Sequence, residues 1–74
     1  VLAVTNLRAK AISAELRSRG AGSVEIKKRG ADINPDDLRK SLKLGGGDKQ
    51  LTVIATRVDG RHRAIICRRL AKNL

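Results

Sequence analysis

Residues 27–44 read KKRGADINPDDLRKSLKL, and the way this stretch stops one element and starts the next decides the fold. Asn34 stands at the head of the clearest helix start in the chain. The four leading N–H groups of a helix have no intrahelical partner, and an Asn side-chain oxygen at the N-cap satisfies one of them. Pro35 follows, with φ preset for the first helical position, where its missing N–H is not needed. Asp36 and Asp37 suit the positive end of the helix dipole. Asp37 is also placed to reach back as a capping box, and Ile33 against Leu38 reads as a hydrophobic staple. The spacing predicts a helix from Pro35 to about Lys43, burying Leu38 and Leu42 at i, i+4.

Upstream, residues 23–28 alternate: Val24 and Ile26 face one way, Glu25 and Lys27 the other, as in a half-buried strand that Gly30 ends. Before it, Leu7 to Arg19 is helical in composition, with Ala9, Ile12 and Leu16 on the core face, and Gly20 closes it. Arg8, Glu15 and Arg19 flank that stripe on one side and Lys10 and Arg17 on the other, all read as a solvated surface, with Leu7, Ala11 and Ala14 opposite. Val1 to Val4 reads as a short strand, and Thr5 or Asn6 as the cap of the helix after it. Downstream, Gly45, Gly46 and Gly47 read as a helix stop and flexible linker.

Leu51–Val58 and Arg61–Leu70 then form a hairpin about Asp59-Gly60, a favoured type I′ pair. Pairing Val58 with Arg61 sets Ala55 opposite Ala64 and Val53 opposite Ile66. Both faces are apolar in mid-strand and basic at the ends, so these strands belong in the centre of a sheet with arginines, Arg68 and Arg69 included, at its rim. Residues 71–74 read as a frayed tail. The expectation is an α+β domain, a four-stranded mixed sheet with two helices on one face in the order β-α-β-α-β-β. Strand order does not follow from the pattern.

Seventy-four residues make a single small domain. Cys67 is the one cysteine, so no disulfide staples the fold, and a lone thiol suits a reducing, cytoplasmic setting. The hairpin register puts Cys67 and His62, the one histidine, on opposite faces, which argues against a Cys–His nucleophile. The seven acids fall in a helix start, turns, loops and local pairs, with no carboxylate dyad, metal-ligand spacing or nucleophile elbow among them. The three glycines lack the lysine and following helix of a phosphate-cradling loop. No catalytic set is present. No apolar run reaches the roughly twenty residues of a membrane helix, and there is no signal-peptide pattern. The chain opens at Val1 in what reads as a strand, which is expected of the tail piece of a longer protein.

Positive charge is what remains. Seventeen Lys and Arg against seven Asp and Glu give a net charge of +10, a self-repelling excess that invites a polyanion. With no Phe, Tyr, Trp or Met, the chain has neither the bulky apolar face of an amphipathic membrane binder nor the aromatic platforms on which single-stranded bases stack. Binding to RNA or DNA is therefore expected to be led by phosphates and shape. The candidate contacts form two patches, Lys27, Lys28, Arg29, Arg39, Lys40 and Lys43 in one, Arg57, Arg61 and Arg63 in the other.

The run KKRGADINPDDLRKSLKLGGG followed by LTVIATRVDGRHRAIICRRL resembles the THUMP-like domain that closes a group of bacterial class I S-adenosylmethionine-dependent methyltransferases. The likeness falls on Lys28, Arg29, Gly30, Pro35, Leu38, Arg39, Leu42, Leu44, Gly45, Thr56, Arg57, Val58, Gly60 and Arg61 and covers nearly the whole chain from Ala9 onward. Each motif is ordinary alone and more telling in this order and spacing. The resemblance implies a parent enzyme that methylates RNA, tRNA or rRNA, with S-adenosylmethionine bound in an upstream domain and no cofactor in this segment. This domain would then hold the substrate. The alternative expectation is a module that packs on its own catalytic domain through Ala11 and Ala14, without touching nucleic acid. A free-standing ribosome- or DNA-associated basic protein is a third.

Overall fold

A computed structural model of the chain describes residues 1–68. Its elements are β1 (Ala3–Asn6), α1 (Ala9–Ser18), β2 (Ala21–Arg29), α2 (Pro35–Ser41), β3 (Lys49–Val58) and β4 (Arg61–Arg68). The expected order β-α-β-α-β-β is the observed one, and the four strands form one mixed sheet in the order β1-β4-β3-β2. β2 runs parallel to β3, while β4 is antiparallel to both β3 and β1. The hairpin pair thus occupies the centre, as its two-faced apolar pattern requires. Its register agrees residue for residue, from Val58 opposite Arg61 to Thr52 opposite Cys67. Asp59 and Gly60 both take positive φ, 52° and 78°, as a type I′ turn demands. The part of the expected hairpin at Arg69 and Leu70, and the tail beyond, lie outside the described residues.

With β1 and β2 at opposite edges, α1 must carry the chain across the sheet, and it packs on β1, β2 and β4 on the way. Ile12 and Leu16 are its fully buried residues. They meet Val24, Ile26, Leu51, Val53, Ala64 and Ile66 from one face of the sheet and Leu42 from beyond α2. Burial of such apolar side chains contributes about 1.5–3 kcal/mol each. Ser13 joins the buried stripe because its hydroxyl accepts the Lys43 amide at 3.0 Å, which ties α1 to the chain leaving α2.

Five local expectations are corrected. The first strand is Ala3–Asn6 and not residues 1–4, because pairing of Ala3 with Ile66 and Asn6 with Arg63 sets its limits. Neither Thr5 nor Asn6 caps α1: Arg8 stands at the N-cap in an extended conformation without a side-chain bond, and Leu7 packs on the core. α2 ends at Ser41, where Leu42 turns extended (ψ 140°) and still buries its side chain. Asn34 caps α2 as expected, accepting from the Asp36 and Asp37 amides at 2.9 and 3.3 Å, but among the described residues no bond from the Asp37 side chain completes a capping box. Lastly, the glycine run is more than a flexible break. A Cβ on Gly47 would overlap the Gly20 carbonyl, and one on Gly22 the Gly47 carbonyl. Two glycine segments therefore meet backbone to backbone beside the Lys49 amide, which donates to Gly20 O at 3.2 Å.

Candidate nucleic-acid interface

β1, β2 and β3 run in the same direction, so their carboxyl ends, the hairpin turn and the start of α1 all gather at one end of the sheet. That end is where the sequence places most of its strand cations. Arg29 is opposite Thr56, Thr56 opposite Arg63, and Arg63 opposite Asn6, so one ladder row carries two arginines. They stand two strand spacings apart, about 10 Å. Arg57 pairs with His62 and Val58 with Arg61 beyond that row.

Alternation divides these side chains between the two faces of the sheet. Lys27, Arg29, Arg61 and Arg63 lie on the helix-free face, whereas Lys28, Arg57 and His62 follow the buried Val24, Ile26, Val53 and Ala55 onto the helix side. The helix-free face also carries half-buried Ile54 and Ile65 and exposed Val4, aligned with Lys27 across the sheet. It holds no aromatic side chain for base stacking.

The two expected patches are thus regrouped. Lys28 and Arg29 gather with Arg57, Arg61 and Arg63 at the sheet end, across both faces. Arg39, Lys40 and Lys43 belong to α2 and the residues after it, packed over the helix-side core. Lys27 and Arg29, on the far face of the sheet, do not join them. The sequence could not show this, because the elbow at Gly30–Pro35 sets the helix start without setting which face the preceding cations take.

Ion pairing separates the candidates further. Lys27 meets Glu25 at 3.8 Å and Arg39 meets Asp36 at 3.6 Å, both solvent-exposed contacts of the kind that contributes about 0–1 kcal/mol. Among the described residues no carboxylate pairs with Lys28, Arg29, Lys40, Lys43, Arg57, Arg61 or Arg63. Arg63 instead donates to Asn6 Oδ1 at 2.6 Å, which holds its guanidinium on the sheet face. Cys67 is buried and His62 exposed on the opposite face. Among the described residues no group of His, Cys, Asp and Glu is arranged to hold a metal, and no helix is long and apolar enough to cross a membrane.

Two of the α1 cations, which read from sequence as a solvated surface, share a concavity. Lys10 and Arg17, with Lys43 and the small residues Ala9, Ser13 and Ser41, line a groove of about 320 Å³ between the two helices. A seven-residue spacing puts Lys10 and Arg17 on one helix face, and that spacing was the signal available.

The fold and surface define a small basic α+β domain with cations placed at a sheet end and along a helix groove. The chain belongs to the THUMP domain-like family, whose match spans residues 1–69. THUMP-like domains are in general RNA-binding modules, consistent with a nucleic-acid-binding role here. No curated protein and no solved structure matches the chain.

Proposed function

We propose that this domain holds structured RNA, tRNA or rRNA, by its phosphates. In this reading it is the non-catalytic carboxyl-terminal module of a cytoplasmic S-adenosylmethionine-dependent methyltransferase. The upstream domain, joined in cis, would bind the cofactor and carry out the transfer. The observation that carries the RNA reading is the sheet-end cluster of Lys28, Arg29, Arg57, Arg61 and Arg63, free of carboxylate partners among the described residues. Lys27, Arg39, Lys40 and Lys43 add charge on either side. Arginine forks suit phosphate oxygens, and a face without aromatics favours duplex shape over unstacked bases. The methyltransferase context rests on the resemblance of the K-R-G, proline, L-R-x-x-L-x-L and T-R-V-x-G-R run.

The test is binding of the 74-residue chain to unfractionated tRNA and to rRNA fragments across a salt series. Engagement of about five phosphates gives a log–log slope near −3.5 to −4.5. Arg29→Ala, Arg61→Ala and Arg63→Ala together should weaken binding uniformly across RNA sequences and flatten the slope by about one unit for each lost phosphate contact. No binding at low salt overturns the reading. For the parentage, the sequence preceding Val1 should carry a glycine-rich loop after a strand.

A second reading, packing against a neighbouring protein domain, is favoured by Val4 and Val58, 59% and 50% exposed near Ile54 and Ile65 on the helix-free face. Of the two α1 residues expected to pack on a catalytic domain, Ala14 is exposed and Ala11 half-buried. Under it, the arginine substitutions leave RNA affinity unchanged, and Val4→Glu separates the domains of the full-length protein.

A further inference from the structure

The α1–α2 groove differs in kind from the sheet-end cluster. Lys10 and Arg17 lie two turns apart on α1, about 10 Å along its axis, and Lys43 lines the same groove from the chain that leaves α2. Its walls are otherwise small: Ala9, Ser13 and Ser41. None of the three cations is paired with a carboxylate among the described residues. The nearest acid on α1, Glu15, is occupied by Arg19 at 3.2 Å, and Asp36 by Arg39. The Ser13 hydroxyl, nearly fully buried, accepts the Lys43 amide, so the backbone that carries Lys43 is fixed to α1. The groove is therefore a concave, cationic surface between two helices locked together at one point. Lys10 sits in the first turn of α1, at the sheet end where the arginines gather, so the groove continues away from that cluster along the helix side.

We propose that Lys10, Arg17 and Lys43 form a second phosphate-binding site, which grips the backbone of an RNA strand between the helices and orients it relative to the sheet-end arginines. The proposal rests on the RNA reading above and adds to it a second contact surface, on the helix side of the domain. Lys27, on the helix-free face, is drawn to Glu25, whereas in the groove no carboxylate pairs with the cations among the described residues. The position is sequence-neutral: three donors without base-reading geometry set register and orientation.

The experiment compares three forms of the 74-residue chain for binding to unfractionated tRNA across salt: wild type, Lys10→Ala with Arg17→Ala, and Lys27→Ala with Arg29→Ala. Alanine at exposed helix positions favours the helix, and far-ultraviolet circular dichroism confirms the fold of each form. The groove variant should lose about tenfold in affinity at low salt and flatten the log–log slope by about one to two units. Backbone NMR shifts on titrating pyrophosphate should concentrate at Lys10, Ser13, Arg17 and Lys43. Full affinity and an unchanged slope in the groove variant, with losses in the sheet-face variant, overturns the groove and leaves the RNA reading standing. A wild-type chain that binds no tRNA at low salt overturns the RNA reading, and the groove proposal with it.

Discussion

Gly22 and Gly47 show most clearly what one residue decides in this fold. Each lies where another segment's carbonyl occupies the space of a Cβ, so the loop after α2 can rest on the start of β2 only while both remain glycine. Gly22→Ala is expected to destabilise the domain by at least about 2 kcal/mol, in the range of overpacking. Gly46→Ala, with nothing within 4 Å of its Cβ, is expected to be neutral or slightly stabilising. Urea denaturation of both variants checks the contrast. A run of three glycines reads as a linker in sequence, because close approach of backbones from residues 20–22 and 47 is a tertiary fact. Asn34, by contrast, was legible from its neighbours alone, since a cap is satisfied within its own first turn.

At the scale of elements, local chemistry foretold the hairpin register and turn and α1 only in part. The two-residue turn fixes the register of β3 and β4 by itself, which is why every expected pair is observed. The start of α1 carries no such signal. Its N-cap Arg8 has the extended backbone of a cap (φ −129°, ψ 136°), but its side chain makes no capping bond and the first turn holds no acid. Arg8→Asp should therefore add a cap and a favourable dipole interaction, about 1 kcal/mol. In a domain this size that raises Tm by about 4–8 °C, readable by a thermal melt followed by circular dichroism. No gain in Tm would mean that the α1 amides already have partners. The limits of β1 and α2 differ from local expectation by about two residues because strand pairing and burial of Leu42, both long-range, outweigh local preference at an element's end.

For the whole molecule, seven acids against seventeen bases make self-repulsion a property of the fold itself. Screening shortens to about 10 Å at 0.1 M salt, so Tm should rise between 10 and 200 mM sodium chloride while RNA affinity falls over the same range. A Tm independent of salt would show that the clusters are too far apart to repel. The sequence by itself determined the element order, the two-helices-on-a-mixed-sheet class and the hairpin register, all of which rest on periodicities and turn chemistry within about twenty residues. Only the tertiary structure decided that β4 inserts between β1 and β3, that Arg29 shares a ladder row with Arg63 on the face away from α2, and that Lys10, Arg17 and Lys43 line one groove. The physical reason is common to all three. Which surfaces come together depends on how apolar faces from distant segments bury one another, and side-chain charge follows wherever that burial carries it.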